Sequence, residues 1–292
     1  MQPLIDADMI CYEVGATAQY VNEEMGEIIP RPWDWVEEAI DYKIKDICKA
    51  VGATEKPLLY LTGDPYLWNM KRRVRPSLPT YEPNFRIAMA VSKDYKGGRK
   101  VDKPLYYNSI RAYLIGCYNA FVAIGCEADD EMAMEQTRRN SHPELCPSII
   151  CTRDKDLRQV PGWHYGWECG KQAEFGPIHY DRLGTIILDR SKSSPKIVGG
   201  GFKFFCSQLF TGDVVDTIGG LAGYGPVKVD GFLSSLTTTR ELVDRVRQEY
   251  ESVHGENWKE KLREQSNLLW MVRQRDGSGQ LIMFNPKEYM DG

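Results

Sequence analysis

Three short acidic segments could do chemistry together: Gly125–Asp130 (GCEADD), Thr152–Asp156 (TRDKD) and Gly212–Asp216 (GDVVD). They hold seven carboxylates, Glu127, Asp129, Asp130, Asp154, Asp156, Asp213 and Asp216, and each segment follows an apolar run that could feed one pocket. Like charges converge only around cations, and oxygen ligands without a His or Cys partner favour Mg²⁺ or Mn²⁺ over zinc. Two such ions are the usual machinery of phosphodiester hydrolysis. Asp and Glu make up 41 of 292 residues, so a chance cluster on a solvated face is the competing reading of any one segment. Context favours the site: AIGCEADDEMAM carries its acids into an apolar stretch, where a solvated face would not put them.

The elements that would position these acids are legible. LIDAD (Leu4 to Asp8) reads as a short strand ending in acids, and PLLYLTGD (Pro57 to Asp64) as a second. Between them Pro32 to Val51 has helical spacing, with Trp35, Ile40, Ile44, Ile47 and Val51 as its apolar stripe, which completes a βαβ unit. Helical patterns over Tyr106 to Ile124 and Asp129 to Arg139 precede a third strand at Pro147 to Thr152, and this alternation predicts a parallel, doubly wound sheet. In such sheets ligands bind at the carboxyl ends of the strands. From Gly162 to Gly201 the Gly and Pro punctuation predicts hairpins set apart from the main sheet. The C-terminal third returns to helical patterning.

Composition excludes several classes. No apolar run approaches the ~18 to 20 residues of a membrane span, and the N-terminus has no basic region or cleavage site. The expectation is a protein that is neither secreted nor embedded in a membrane. Eight cysteines without a CxxC pair read as free thiols of a cytosolic protein, and the four histidines show no zinc-like spacing with them. The net charge of −4 hides an asymmetry: Lys71 to Arg111 carries +8, leaving −12 for the remainder. Carboxylates that hold cations, next to a basic stretch that holds a phosphate backbone, suit a nuclease; a solvated basic loop is the bland alternative.

At GDVVDTIGGLAGYGPVKVDGFL the acids lead into Gly220, Gly223 and Gly225, then Pro226, Lys228 and an amphipathic helix. Glycines let a backbone approach a phosphate, and a helix start offers it unpaired amides. Taken with LIDAD, DYKGGRK (Asp94 to Lys100), GCEADDEMA and TRDKDLRQV, this segment resembles the flap endonuclease and 5′→3′ exonuclease family, which includes the 5′ nuclease domain of bacterial DNA polymerase I and phage exonucleases. The match runs from about Leu4 to Leu233 in the family order.

The resemblance implies an α/β, parallel-sheet, PIN-like nuclease core over residues 1–210, with a basic arch at 66–111 and a hairpin region at 162–201. A helix-hairpin-helix-like module and C-terminal helical region would follow at 211–292. By motif, Asp6, Glu127, Asp129, Asp130, Asp154, Asp156, Asp213 and Asp216 would bind two Mg²⁺, for which Mn²⁺ could substitute. Asp8 and Asp64 join the candidate ligands: LTGD places Asp64 later than the family pattern, and Asp8 could replace or supplement it. Thr217 stands where many relatives have Asn.

Lys96 and Arg99 would grip the scissile phosphate as catalytic cations. Lys71, Arg72, Arg73, Arg75, Arg86, Lys100, Gly220, Gly223, Gly225 and Lys228 would contact DNA, with K⁺ a further candidate at the glycine turn. Aromatics such as Tyr66, Trp68, Tyr95 and Tyr107 could stack on frayed bases or simply pack in a core. The implied activity is a stand-alone 5′→3′ exodeoxyribonuclease, with or without flap cleavage, acting on DNA with a 5′ end, flap or nick. Phage replication or recombination in bacterial cytoplasm is the implied setting, with replication or recombination proteins as partners. An RNase H-like enzyme acting on an RNA/DNA hybrid and a non-catalytic, structure-specific DNA-binding module are the rival readings.

Overall fold

In the computed structural model residues 1–290 are described except 23, 25, 75, 79, 98–101 and 192, with the backbone alone at 70, 71 and 74. The apolar start of the chain becomes β1 (Gln2–Asp6), buried along its whole length, as a strand covered on both faces must be. Helix α1 (Ala7–Thr17) follows with no loop, because the Asp6 carboxylate accepts from Met9 N and caps it. A hairpin of β2 (Gln19–Asn22) and β3 (Glu27–Pro30) leads to α2 (Trp33–Ala50). That helix buries Val36, Ile40, Ile44 and Ile47, whereas Trp35, expected in the stripe, is only partly buried.

Strand β4 (Leu58–Thr62) is followed by α3 (Pro65–Val74), α4 (Phe85–Met89), α5 (Tyr107–Tyr118), β5 (Phe121–Ala123), α6 (Ala128–Asn140) and β6 (Ser148–Cys151). Next come β7 (Gly162–Gly166) and β8 (Phe175–Tyr180). The sheet runs β5-β4-β1-β6-β7-β8. β1 pairs in parallel with β4 on one side and β6 on the other, and β4 with β5 and β6 with β7 are parallel too. Strand order therefore reverses at β1, and the carboxyl ends beside it form the switch-point crevice of an open α/β sheet.

Two expectations are corrected. Residues 121–123 form a strand rather than the end of a helix, because Asn119 turns into the left-handed region (φ 54°) and stops α5. The region 162–201 does not stand wholly apart: β7 is buried at four of its five positions and extends the main sheet, with β8 beyond it. β9 (Thr185–Asp189) and β10 (Lys196–Gly200) pair separately.

The rest of the chain is α7 (Gly201–Thr211), a short hairpin of β11 (Gly212–Asp213) and β12 (Ile218–Gly219), then α8 (Pro226–Leu233), α9 (Thr239–His254) and α10 (Trp258–Leu269). The chain divides into two compact units. The first is Met1–Pro83, Val101–Arg153 and Trp163–Ile178; the second is Asn84–Lys100, Asp154–Gly162 and His179–Gly292. These interleaved segments do not follow the expected division at 210 and 211, since α7 packs on α8 and α9. The first unit has an aliphatic core through Ile5, Ile10, Ile40 and Leu61; the second is built on rings, with Phe202 stacked on Tyr289 at 4.0 Å and Phe205 edge-on to Trp270 at 4.9 Å. Among the described residues no helix is long and apolar enough to cross a membrane.

Candidate metal centre and nucleic-acid interface

In the first unit the acids stand at the carboxyl ends of β1 and β4 and at the start of α6. Asp6, 4% exposed, accepts from Met9 N (3.2 Å) and from the Thr152 hydroxyl (2.8 Å) just past β6. One oxygen of Asp8 accepts from Thr62 N (2.8 Å), while its Oδ1 is buried without a hydrogen-bond partner. Burial raises the Asp8 carboxyl above its ordinary pKa; Arg111 opposes the rise and the charge of Glu127 adds to it. The Thr62 hydroxyl accepts from Ala128 N (3.0 Å) and so fixes the start of α6 on β4. Within that start, fully buried Asp130 accepts from Glu127 N (3.1 Å) and caps its own helix.

Asp64 has a different occupation. It accepts from Leu67 N (2.9 Å) and from Arg111 Nη1 (2.5 Å), with Lys103 Nζ at 3.9 Å. Burial works to raise its pKa, but the Leu67 amide and the Arg111 guanidinium outweigh that and hold it below the usual carboxylate range. Arg111 itself is 1% exposed and also donates to the Thr62 carbonyl.

The second unit gathers Asp154, Asp156, Asp213 and Asp216. Asp154 accepts from Asp156 N (2.8 Å), and Asp213 from Val215 N (2.8 Å). Lys155 bridges the cluster, with Nζ 3.1 Å from Asp156 Oδ1 and in contact with Asp213 Oδ2. Gln208, from the last turns of α7, donates to Asp156 Oδ1 at 2.5 Å. Burial raises the pKa of Asp154 and takes Asp156 up to about 7, the charge of Asp154 adding to the latter rise. Burial also acts on Asp213, but Lys155 outweighs it and leaves that carboxyl below its ordinary value.

Asp216 joins the DYKGGRK segment to this cluster. Its carbonyl accepts from Lys96 N (3.0 Å), and its carboxylate accepts from Tyr95 Oη (3.3 Å) and lies 3.9 Å from Lys96 Nζ. Lys96 holds φ at 56°, a left-handed conformation that a lysine adopts only where its surroundings impose it.

Whether these residues suit a hard divalent cation can be tested on the structure. The donors are all oxygen, Asp8 Oδ1 is buried without a partner beside the charge of Glu127, and half-buried Asp154 repels buried Asp156. A cation relieves each of these conditions. As they stand, no three Asp, Glu, His or Cys side chains among the described residues are grouped to ligate one ion: Asp130 is turned to an amide, Asp64 to Arg111, and Asp156 and Asp213 to Lys155. Thr62, Thr152, Arg111, Lys155 and Gln208 are the site residues that motif reading misses. Lys155 and Thr152 had a signal in the TRDKD segment and Arg111 in the basic stretch, whereas Thr62 and Gln208 had none.

The DNA-contact candidates separate. Arg72 and Arg73 line a basin on α3 with Asn69 and Pro76. Arg86 is corrected: it is 0% exposed and donates to the carbonyls of Leu268 (3.0 Å) and Trp270 (2.7 Å), so it is a structural cation and not a surface contact. Arg75, Arg99 and Lys100 lie outside the described residues, as does the side chain of Lys71. At the glycine turn, a Cβ on Gly220 would meet Phe210 O at 2.2 Å, so backbone crowding against α7 accounts for this glycine. Gly223 (φ 82°) and Gly225 face open space, and Lys228 Nζ sits 3.4 Å from the centroid of Tyr224 beside them.

A mostly parallel sheet with acids at its switch point, together with a helical second unit, defines a mixed α/β fold of the phage 5′-nuclease kind. It matches a bacteriophage T5 protein co-crystallised with metal ions (TM-score 0.57, 13% identity, 92% of this chain and 89% of that one). It also matches the bacteriophage T5 flap endonuclease in a pseudo-enzyme-product complex with DNA and metal ions (TM-score 0.51, 13% identity, 90% and 86%). A third match is bacteriophage T5 5′-exonuclease with bound zinc (TM-score 0.52, 12% identity, 92% and 86%). At this identity the likeness is one of fold. No protein-family model and no curated protein matches the chain.

Proposed function

We propose that the chain is a Mg²⁺-dependent 5′→3′ exodeoxyribonuclease that hydrolyses phosphodiesters near DNA 5′ ends and also cleaves 5′ flaps, with Mn²⁺ able to substitute. The observation that carries this reading is the donor chemistry at the switch point of this fold, where Asp8 Oδ1 is buried and unpartnered beside Glu127. The paired acids of TRDKD and GDVVD add to it.

Asp6, Asp8, Glu127 and Asp129 would hold metal in the first unit, and Asp154, Asp156, Asp213 and Asp216 in the second. Bound divalent ions would supply Lewis-acid stabilisation of charge on the attacking and leaving oxygens. The chain's own groups do the rest. Thr152 and Met9 N orient Asp6 from two directions, which fixes its carboxylate. Asp216 holds Lys96 through its backbone and its carboxylate, so that the ammonium is presented to a phosphate instead of sweeping through solvent. Tyr95, anchored on Asp216, restricts the same segment.

The test is digestion of 5′-labelled flap duplex, blunt duplex and RNA/DNA hybrid in Mg²⁺ or EDTA, with wild type beside Asp154→Ala. The proposal expects Mg²⁺-dependent release of 5′ products from DNA, abolished in the variant. Cleavage of the hybrid alone would move the assignment to primer removal, and tight DNA binding without cleavage would leave a binding module.

A further inference from the structure

Within the second unit a pocket of about 260 Å³ opens beside the Lys96–Asp216 pair. Both walls are direct continuations of that pair's segments: Ser92 and Lys93 precede Tyr95 and Lys96, and Thr217 to Gly220 follow Asp216. The back wall is His254 with Lys261, Glu264 and Gln265 of α10. At about 30 Å³ per water, the volume exceeds that of several waters and admits a phosphate group with its hydration.

The lining has the chemistry of an anion site. Lys93 is exposed, and Lys261 reaches in to donate to Ser92 Oγ at 3.0 Å. The one carboxylate, Glu264, is occupied: it accepts from Val91 N (2.8 Å), Ser92 N (2.5 Å) and Ser92 Oγ (2.7 Å) and lies 3.7 Å from Lys261 Nζ. Burial would raise it, but the Ser92 contacts prevail and keep it ionised below its ordinary pKa. Its role is to pin the 91–93 turn on α10, which sets Lys93 and the Ser92 hydroxyl in place. The two lysines outnumber it, and His254 adds a ring N–H.

Two backbone features point the same way. Thr217, β-branched, is held at φ 63°, a left-handed conformation that persists only where surroundings impose it. The Gln265 amide donates to the Gly219 carbonyl, and its Oε1 is buried without a partner, an acceptor suited to a water held between it and a bound phosphate.

We propose that this pocket binds a phosphodiester of the substrate strand next to the one held at Lys96, through Lys93, Lys261, Ser92 and His254. The assignment rests on the nuclease reading for the identity of the strand and on the pocket's own chemistry for the phosphate. It is tested by fluorescence anisotropy of a labelled 5′-flap duplex in EDTA across a salt series. Wild type is compared with Lys93→Ala, with Lys93→Ala/Lys261→Ala, and with Lys45→Ala/Lys49→Ala, which removes the same charge from exposed positions on α2. The expected result is an affinity lower by about threefold for the single variant and about tenfold for the double, with the slope of log K against log salt falling by roughly one per lysine removed. The α2 control should leave both quantities near wild type.

Inorganic phosphate provides the second arm, read as a rise in melting temperature that Lys93→Ala diminishes. Equal DNA affinity and slope in wild type and pocket variants would overturn the proposal. If phosphate still stabilised wild type alone in that case, the pocket would be one for free phosphate. If wild type bound no DNA, the nuclease reading would fail, and the phosphate arm would decide by itself whether the pocket takes an anion.

Discussion

The acidic cluster at the ends of β1 and β4 and the one around Lys155 contain the same residue types, yet they are held by different means. In the first, carboxylates are oriented mainly by amides and hydroxyls of rigid strand and helix ends: Met9 N and Thr152 for Asp6, Thr62 N for Asp8, Glu127 N for Asp130. In the second, they are balanced by ammonium groups on mobile stems, Lys155 for Asp156 and Asp213, and Lys96 for Asp216. Neutral donors set geometry without cancelling charge, whereas a lysine cancels charge and can be displaced. The first cluster is therefore fixed by the folding framework of its own unit, and the second is held by charge balance within its own.

The largest effect that would sharpen this contrast is on catalysis. Both Asp6→Ala and Asp154→Ala are expected to lower the cleavage rate by roughly 10³-fold or more, which at 1.36 kcal/mol per tenfold is about 4 kcal/mol of transition-state stabilisation. Only Asp6→Ala should also destabilise the fold, by about 1–3 kcal/mol, because it strands the Thr152 hydroxyl and Met9 N. Asp154→Ala strands Asp156 N but also removes a partly buried like charge, so the two effects offset and the urea midpoint should stay near wild type. Equal losses of stability in the two variants would break the distinction.

Arg111→Ala comes next. It deprives Asp64 of its guanidinium and leaves Asp8 buried without its main compensating charge. Because Asp64 is partly solvated, the loss should be about 2–4 kcal/mol, somewhat under that for a fully buried pair, and chemical denaturation reads it directly.

The third effect is a pH dependence peculiar to the second cluster. Asp156 is raised from 3.8 to about 7, so the folded protein binds its proton more tightly than the unfolded chain does. The associated stability is present below the unfolded value and is lost as pH rises towards 7. Asp64 and Asp213, both lowered, act in the opposite sense and only in more acid solution. Metal-free protein should accordingly melt at a lower temperature at pH 8 than at pH 6, and Mg²⁺ should raise the melting temperature more at pH 8. Identical increments at the two pH values would remove Asp156 from the metal reading.

The smallest expected effect concerns an exposed ion pair. Lys103 is 58% exposed and 3.9 Å from Asp64, so Lys103→Ala should shift stability by no more than about 0.5 kcal/mol. A change comparable to that of Arg111→Ala would show that Asp64 depends on surface charge and not on its buried partner.

Much of this was legible without coordinates. Apolar runs ending in acids marked β1, β4 and β6, and the 3.6-residue period marked α2 and α6, because local burial patterns repeat with the geometry of the element. The hairpin of β2 and β3 and the helix α1 were missed, as was the entry of β7 into the main sheet. Short segments carry few repeats, and the last depends on a neighbour, β6, rather than on any property of 162–166. Arg86 shows the limit most clearly: it belongs by count to the basic stretch from Lys71 to Arg111, yet the carbonyls of Leu268 and Trp270, more than 180 residues away, hold it in the interior.

The sequence by itself determined which groups could act: an oxygen-only acid set without zinc-type partners, a basic stretch from Lys71 to Arg111, and glycines at a turn. Tertiary structure alone decided how each is used. It turned Asp64 to Arg111 and Asp130 to its own helix, left Asp8 Oδ1 without a partner, set Lys155 between two carboxylates, and assembled the pocket of Lys93 and Lys261 from segments far apart in the chain. The physical reason is that residue type fixes charge and donor number, while burial and partnership, which set pKa and availability for a ligand, are properties of the packed neighbourhood.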